Sequence, residues 1–432
     1  MGLTFCATGD TIITCPYTKD YEGCEELVAF IRSADVRMNN METPLVDGPC
    51  PVSAFSGRPW MRGETALLDR LADFGFNCYS FANNHGLDYF YTGLLSTLEA
   101  FEKRGIAYAG AGRSLEEAVS HCLIDTPNGR VAFLAIASVA DVSVRAGSAG
   151  KNILPRPGIN QLRHTVRYRV TAEQMQALKE IADASKINSR LKNRLKLGSV
   201  VLNDGIFPFG TMEFAVGEPG RETIPDPYDM ERMEKAVKRA AAEADRTVVY
   251  LHSHETKGDS DAEPDWFAEE FARRAIDWGA DAVVGSGTHQ VKGVEFYRGR
   301  PIFYGIANFF FRPFDMDEYP EEWYELYRMD KSLSTREAED LRTKHGTRGL
   351  VTQAYAYRAI VPRIEWEGDK ITVKALPISL GFGGPAETKG FPRPAGPEDT
   401  EALLTRMREL CEPYGTRVDL GEDGCLSFTP GA

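Results

Sequence analysis

The stretch TVVYLHSHE, residues 247–255, decides how this chain folds. Thr247 to Leu251 make an apolar run of strand length, and the run ends abruptly in His252, Ser253, His254 and Glu255. Two of the seven histidines thus stand one residue apart at the end of a strand. Alternation along a strand sends both imidazoles to the same face, where they can share a metal ion or take adjacent roles beside one.

The same arrangement recurs on both sides of this stretch. LTFCAT (3–8) is followed by Gly9 and Asp10, and DVRMNN (35–40) by Met41 and Glu42. NCYSFA (77–82) leads into NNHGLD (83–88), and DAVVGS (281–286) into a loop that reaches His289. RVAFLAIAS (130–138) and RPIFYGIAN (300–308) are further runs of this kind. Between them the periodicity predicts helices at 22–33, 64–74, 91–104, 228–244 and 264–278. Alternating strands and helices indicate an α/β fold, and runs without polar alternation indicate strands covered on both faces. Polar side chains at several strand ends then converge on one crevice.

Two regions depart from the alternation. Residues 140–225 hold a Pro/Gly-marked loop, LPRPGIN (154–160), and a basic amphipathic stretch, 171–198, in which Leu178, Ile181, Ile187, Leu191 and Leu195 fall near helical spacing. We expect an insertion in a body of residues 1–312, either a surface helix packed by one face or a cap over the crevice. Residues 313–432 are expected as an extension packed on the same domain. It holds a charged aromatic segment (315–346), a β-hairpin within 350–380 that turns at Glu367–Asp369, and a helix at 398–412.

Of the 432 residues, 43% are hydrophobic and 26% charged, which is ordinary for a globular chain. The formal net charge of −13 opposes binding to nucleic acid and to anionic membranes. No apolar run approaches the roughly 20 residues of a transmembrane helix. The eight cysteines are scattered without a CxxC pair, which excludes a zinc ribbon and fits a reduced, cytoplasmic protein. No basic, secretory-type region precedes the first apolar run. The sequence leaves the oligomeric state open.

Asp10, Glu42, Asn84, His252, His254 and His289 offer oxygen and nitrogen donors and no thiolate. That set suits one or two divalent ions of Mn, Zn, Fe, Mg or Ca. The candidates for acid–base work are Asp10, His85, His254, Glu255 and His289, with Asp88 either capping the next helix or orienting His85. His121, His164 and His345 have no such context and read as surface or packing residues. Lys257 and Arg156 are either contacts for an anionic substrate group or solvated charges.

Taken in order, GD, NME, ANNHGLDY, LHSHE and GSGTHQVKGVEFYRGRPIFYGIANFFF resemble the CapA-like family, named for poly-γ-glutamate capsule biosynthesis, within the calcineurin-like metallophosphatase superfamily. The resemblance covers 1–140 and 245–312. It implies a four-layer αββα sandwich with metal at the strand ends. Asp10, Asn84, His252 and His289 would be ligands, Glu42 a carboxylate able to bridge two metals, and His85 an acid or transition-state donor. Asn308 and Phe309 match a motif that is structural near the site. Three positions depart from the pattern. Ile12 and Gly287 stand where ligand histidines are common, and His254 stands where glycine is usual.

Loss of two histidines weakens the two-metal clamp of phosphoester hydrolysis. The expected function is therefore metal-assisted acid–base chemistry on a peptide, read as Cα epimerisation in a ribosomal, lasso-type precursor, an activity found among CapA-like relatives. The alternatives are a metal-dependent phosphoesterase or other hydrolase, a poly-γ-glutamate biosynthesis protein, and a non-catalytic binding or assembly protein. The expected partner is a peptide or other small anionic substrate.

Overall fold

Alternate residues of the strand Gly129–Ala137 belong to two different cores. Phe133, Ala135 and Ala137 face the space between two sheets, whereas Ala132, Leu134 and Ile136 pack beneath the helices Pro227–Glu243 and Trp266–Asp277. The strand Arg246–Ser253 repeats this division, with Val248 and Tyr250 on the inner side and Val249 and Leu251 on the outer. Both faces are dry, which is why these strands read as unbroken apolar runs. The computed structural model describes residues 2–431 other than 16, 55–58, 140, 259, 314, 315 and 317.

Among the described residues this sheet has six strands, in the order 294–297, 300–303, 282–287, 246–253, 129–137 and 122–126. The facing sheet has ten and centres on Leu3–Ile12. Val36–Met41, Cys78–Ser80 and Ala107–Ala109 follow it in parallel on one side. On the other side Arg358–Glu367 runs antiparallel to Leu3–Cys6, and Asn308–Phe311 runs parallel to Asp10–Ile12. Phe5 stacks on Phe133 across the gap between sheets, with ring centroids 6.4 Å apart. Neighbouring residues of the strand Cys78–Ser80 show the remaining layer. The Cys78 sulfur faces Cys122 of the other sheet, and the Tyr79 ring stacks on Phe101 of the helix Phe90–Lys103. The architecture is the four-layer α/β sandwich expected from the sequence.

The hairpin of Arg358–Glu367 and Lys370–Ser379 turns through Gly368, and it continues the central sheet instead of lying against it. Leu426–Pro430 and Thr416–Leu420 extend that edge further. Residues 315 and 317, at the head of the expected charged segment, lie outside the described residues.

Within 140–225, the strands His164–Val170, Ile206–Phe209, Met212–Val216 and Gly220–Pro225 form a separate four-stranded sheet. The basic stretch forms two helices, Ala172–Ser185 and Ser189–Lys196, where one was expected. Lys186 takes φ 60°, and the Asn188 amide bonds the Pro208 carbonyl and the Gly210 amide, which turns the chain. Asp265 ties this unit to the body by accepting hydrogen bonds from Arg221 (2.7 Å) and Thr223 (2.5 Å). Among the described residues no helix is long and apolar enough to cross a membrane.

Candidate metal centre

Asp10 reaches the carboxyl ends of the strands through a backbone irregularity. The register of Leu3–Ile12 against Val36–Met41 shifts between Thr8 and Asp10. A bulge of this kind re-aims the side chain that follows. Gly9 makes it feasible: the chain is pressed so closely to Ala307 that a Cβ at Gly9 would lie 1.8 Å from the Ala307 carbonyl oxygen. Asp10 itself is buried. It accepts hydrogen bonds from Asn40 (2.8 Å), Ser286 (2.5 Å) and the Gly287 amide (3.1 Å). His252 Nδ1 and His289 Nδ1 lie 3.5 and 3.6 Å from its oxygens. Burial alone would raise its pKa. The charge and hydrogen bond of His252, with His289 and Ser286, more than reverse this and hold the carboxyl below the usual carboxylate range.

Glu42 is the opposite case. It is fully buried, and among the described residues neither carboxylate oxygen has a hydrogen-bond partner. Burial, reinforced by the charges of Asp10 and Asp88, pushes its pKa well above the ordinary value. Around it, His252 Nε2 and His85 Nε2 each lie 3.8 Å from Oε1. The His252 ring is fixed from behind by the Ser286 hydroxyl, 3.1 Å from Nδ1. Its Nε2 is 2.9 Å from Asn84 Oδ1 and 3.2 Å from His254 Nε2.

His254 is exposed along its outer edge while its Nε2 turns inward. Loss of water around that nitrogen, followed by the His252 and His289 rings, holds its pKa well below the histidine range. His289 adopts φ 57° and is held by Asn308 Oδ1, 2.9 Å from its Nδ1. Burial lowers its pKa against the opposing pull of Asp10.

His85 and Asp88 form a dyad, with Nδ1 and Oδ2 2.7 Å apart and both residues buried. Asp88 Oδ2 also accepts the Met61 amide at 2.8 Å, while the helix Phe90–Lys103 has no side-chain cap. Asp88 thus contacts the His85 ring and does not cap that helix. His85 Nε2 is left facing Glu42.

The donor set fits a divalent cation. A buried carboxylate without a partner is stable only if protonated or paired with positive charge. Two imidazole nitrogens 3.2 Å apart beside a carboxamide oxygen have the spacing of ligands that share an ion at bond lengths of about 2.0–2.2 Å. Among the described residues, Asp10–Glu42–His252 and Glu42–His254–His289 are two groups whose ligand atoms lie within 4.8 Å of one another. They share Glu42.

Most of the expected residues meet here. Asp10, Glu42, Asn84, His252, His254 and His289 converge, with the His85–Asp88 dyad alongside. Glu255 does not join them. It follows the strand Arg246–Ser253 on the face opposite His254, accepts the Ser253 hydroxyl at 2.9 Å, and lines a small outer pocket with Lys292. Strand alternation places Ser253 and Glu255 together and away from the centre. Lys257 pairs with Glu269, and Arg156 donates to the Arg145 carbonyl. His121 meets Glu243, His164 stacks on Phe267, and His345 meets Asp340. Gly287 cannot hold a histidine in this backbone: its φ is 123°, and a Cβ would lie 2.4 Å from the Ser253 carbonyl oxygen. Ile12 is buried in the core.

Sequence reasoning missed Asn40, Tyr250 and Ser286. Tyr250 donates to Ser286, which bonds both Asp10 and His252. Tyr250 was within reach, since it stands two residues before His252 and shares its face.

A metallophosphatase-like sandwich with an oxygen- and nitrogen-donor centre at its strand ends is the class that this fold and cluster define. The family model described as "Bacterial capsule synthesis protein PGA_cap" matches residues 4–313, and the chain belongs to that family. It is 29% identical over 435 residues to the uncharacterized proteins y4sH and y4uA of Sinorhizobium fredii, covering 97% of this chain and 91% of each relative. It is 25% identical over 241 residues to the PGA biosynthesis protein CapA of Bacillus subtilis, covering 56% of this chain and 44% of that protein.

Proposed function

We propose that this chain is a divalent-metal-dependent hydrolase acting on an amide-linked, carboxylate-bearing chain of the kind that the family's capsule-synthesis description suggests. The observation that carries the reading is Glu42, a buried carboxylate with no hydrogen-bond partner among the described residues, ringed by Asp10, His252, His254 and His289. These residues and Asn84 would hold one ion, or two that share Glu42. Three imidazoles among the donors favour Mn, Fe or Zn over Mg and Ca. When bound, such an ion polarises a substrate carbonyl and acidifies water.

The chain's own residues do the rest. Asp10, ionised and locked by Asn40, Ser286 and the Gly287 amide, fixes the His252 ring. Asp88 accepts from His85 Nδ1 and turns Nε2 toward the centre, where the doubly protonated ring can give its Nε2 proton to a leaving nitrogen or oxygen. The buried, packed strand ends keep these groups in place without reorganisation.

Peptide Cα epimerisation is the second reading. It is favoured by the exposed edge of His254 and by a neutral imidazole there, which could take a proton from one face while His85 serves the other. The ligand-like spacing of His254 Nε2 to His252 Nε2 supports hydrolysis over it, because a metal-bound nitrogen is not a base. Incubation of the metal-loaded protein with poly-γ-glutamate and with short peptides in D₂O separates the readings. Chain shortening without deuterium at Cα is the expected result. Deuterium without cleavage would instead select epimerisation, and neither change with retained binding would leave a non-catalytic protein.

A further inference from the structure

The outer end of the 140–225 unit differs in charge from the rest of the molecule. Residues 181–202 carry five cations and one carboxylate, so that against the whole-chain charge of −13 the remainder carries −17. Lys192 pairs with Asp183, whereas Lys186, Arg190, Arg194 and Lys196 have no ion pair among the described residues. The helix Ser189–Lys196 that bears most of them contains no buried residue. Immediately after it, Leu197 and Val201 are 80% and 89% exposed, with Ile187 and Leu202 partly exposed nearby.

We propose that this tip docks the protein on an anionic lipid surface. Unpaired cations beside protruding apolar side chains form a two-part anchor, in which the charges meet phosphate headgroups and the apolar knobs enter the acyl boundary. A folded protein or peptide partner would need a hole for each knob, whereas a bilayer deforms around them. The acidic remainder of the chain is repelled by the same surface, which orients the molecule tip-down. The net charge predicts no membrane affinity; the local charge reverses that expectation at one end.

Vesicle sedimentation of the full chain tests this. Binding is expected to vesicles of phosphatidylcholine mixed with phosphatidylglycerol, weakening as salt is raised, with little binding to phosphatidylcholine alone. The charge reversal Arg190→Glu with Arg194→Glu should lower vesicle affinity by about tenfold or more. Leu197→Ser with Val201→Ser should lower it severalfold, because burial of both knobs is lost. The circular dichroism of both variants should match the parent, since the altered side chains are exposed. Equal binding to neutral and anionic vesicles overturns the proposal. So does undiminished binding of the serine variant, which would make the tip a site for a soluble acidic polymer. A concentration-dependent dimer abolished by the charge reversal would assign the tip to a second copy of the chain and overturn it as well.

Discussion

The body and the inserted unit hold their charges in opposite ways. In the body, Asp10, Glu42, Asp88 and His252 are all buried, and Glu42 has no hydrogen-bond partner among the described residues. In the inserted sheet every residue of His164–Val170 is half-buried, and Arg167 and Arg169 are matched to Glu213 and Glu222. The first arrangement is expensive and leaves a charge deficit of the kind that a cation can fill. The second neutralises itself at the surface, where ion pairs contribute little either way. Substitutions in the body should therefore change chemistry, and substitutions in the inserted sheet should change local order and leave the chemistry as it is.

The largest effect is expected from Asp10→Ala or His252→Ala. Each removes a donor and also releases its partner, so activity should fall by about a thousandfold or more and metal content of the purified protein should fall with it. Retention of full metal content and activity in both variants would sink the centre as described here.

Next come His85→Asn and Asp88→Asn, expected to cost about a hundredfold or more in turnover while metal content stays at the parent level. Asp88→Asn should also shift the pH profile, because it acts through the His85 ring. Loss of metal in either variant would move the dyad into the ligand set.

The two regions also differed in how far the sequence disclosed them. Body strands such as Gly129–Ala137 are covered on both faces, so burial wrote continuous apolar runs into them, and polar residues at their ends marked the crevice. The strands of the insertion are mostly half-buried and carry no long unbroken apolar run, and the sequence showed only a loop and a helix there. Within the centre, residues with ligand chemistry were legible. Ser286 and Asn40 were not, because their role depends on partners brought from distant strands. Glu255 was misplaced for a simpler reason, since proximity to His254 in sequence hid the fact that alternation sends it to the other face.

Between these extremes lies Glu42. Its pKa is raised above the unfolded value of 4.5. The stability that its protonated form contributes is therefore complete below that value and is lost as pH rises through the folded pKa. In chelator, thermal stability of the parent should decline as pH rises above 4.5, and Glu42→Gln should decline less. Added metal should restore the parent at the higher pH and leave the variant largely unchanged, because the ion replaces the proton that Glu42 gives up. Identical pH dependence of parent and variant, read by melting temperature, would mean that the carboxylate is already paired.

The smallest effect belongs to the insertion. Thr171 caps the helix Ala172–Ser185 by accepting the Gln174 amide at 3.2 Å, and Gln174 returns a bond to the Thr171 amide at 2.9 Å. Thr171→Ala removes one half of this box and should cost about 1 kcal/mol. That loss should appear as faster amide hydrogen exchange within 172–185, with little change in exchange along Arg246–Ser253 and none in metal stoichiometry. The helix buries only Met175 and Ala182, so its first turn depends on the cap more than a core helix would. Should the metal centre respond to this change, the insertion and the body would be one cooperative unit, and the contrast between their two kinds of charge would reflect position alone and not independence.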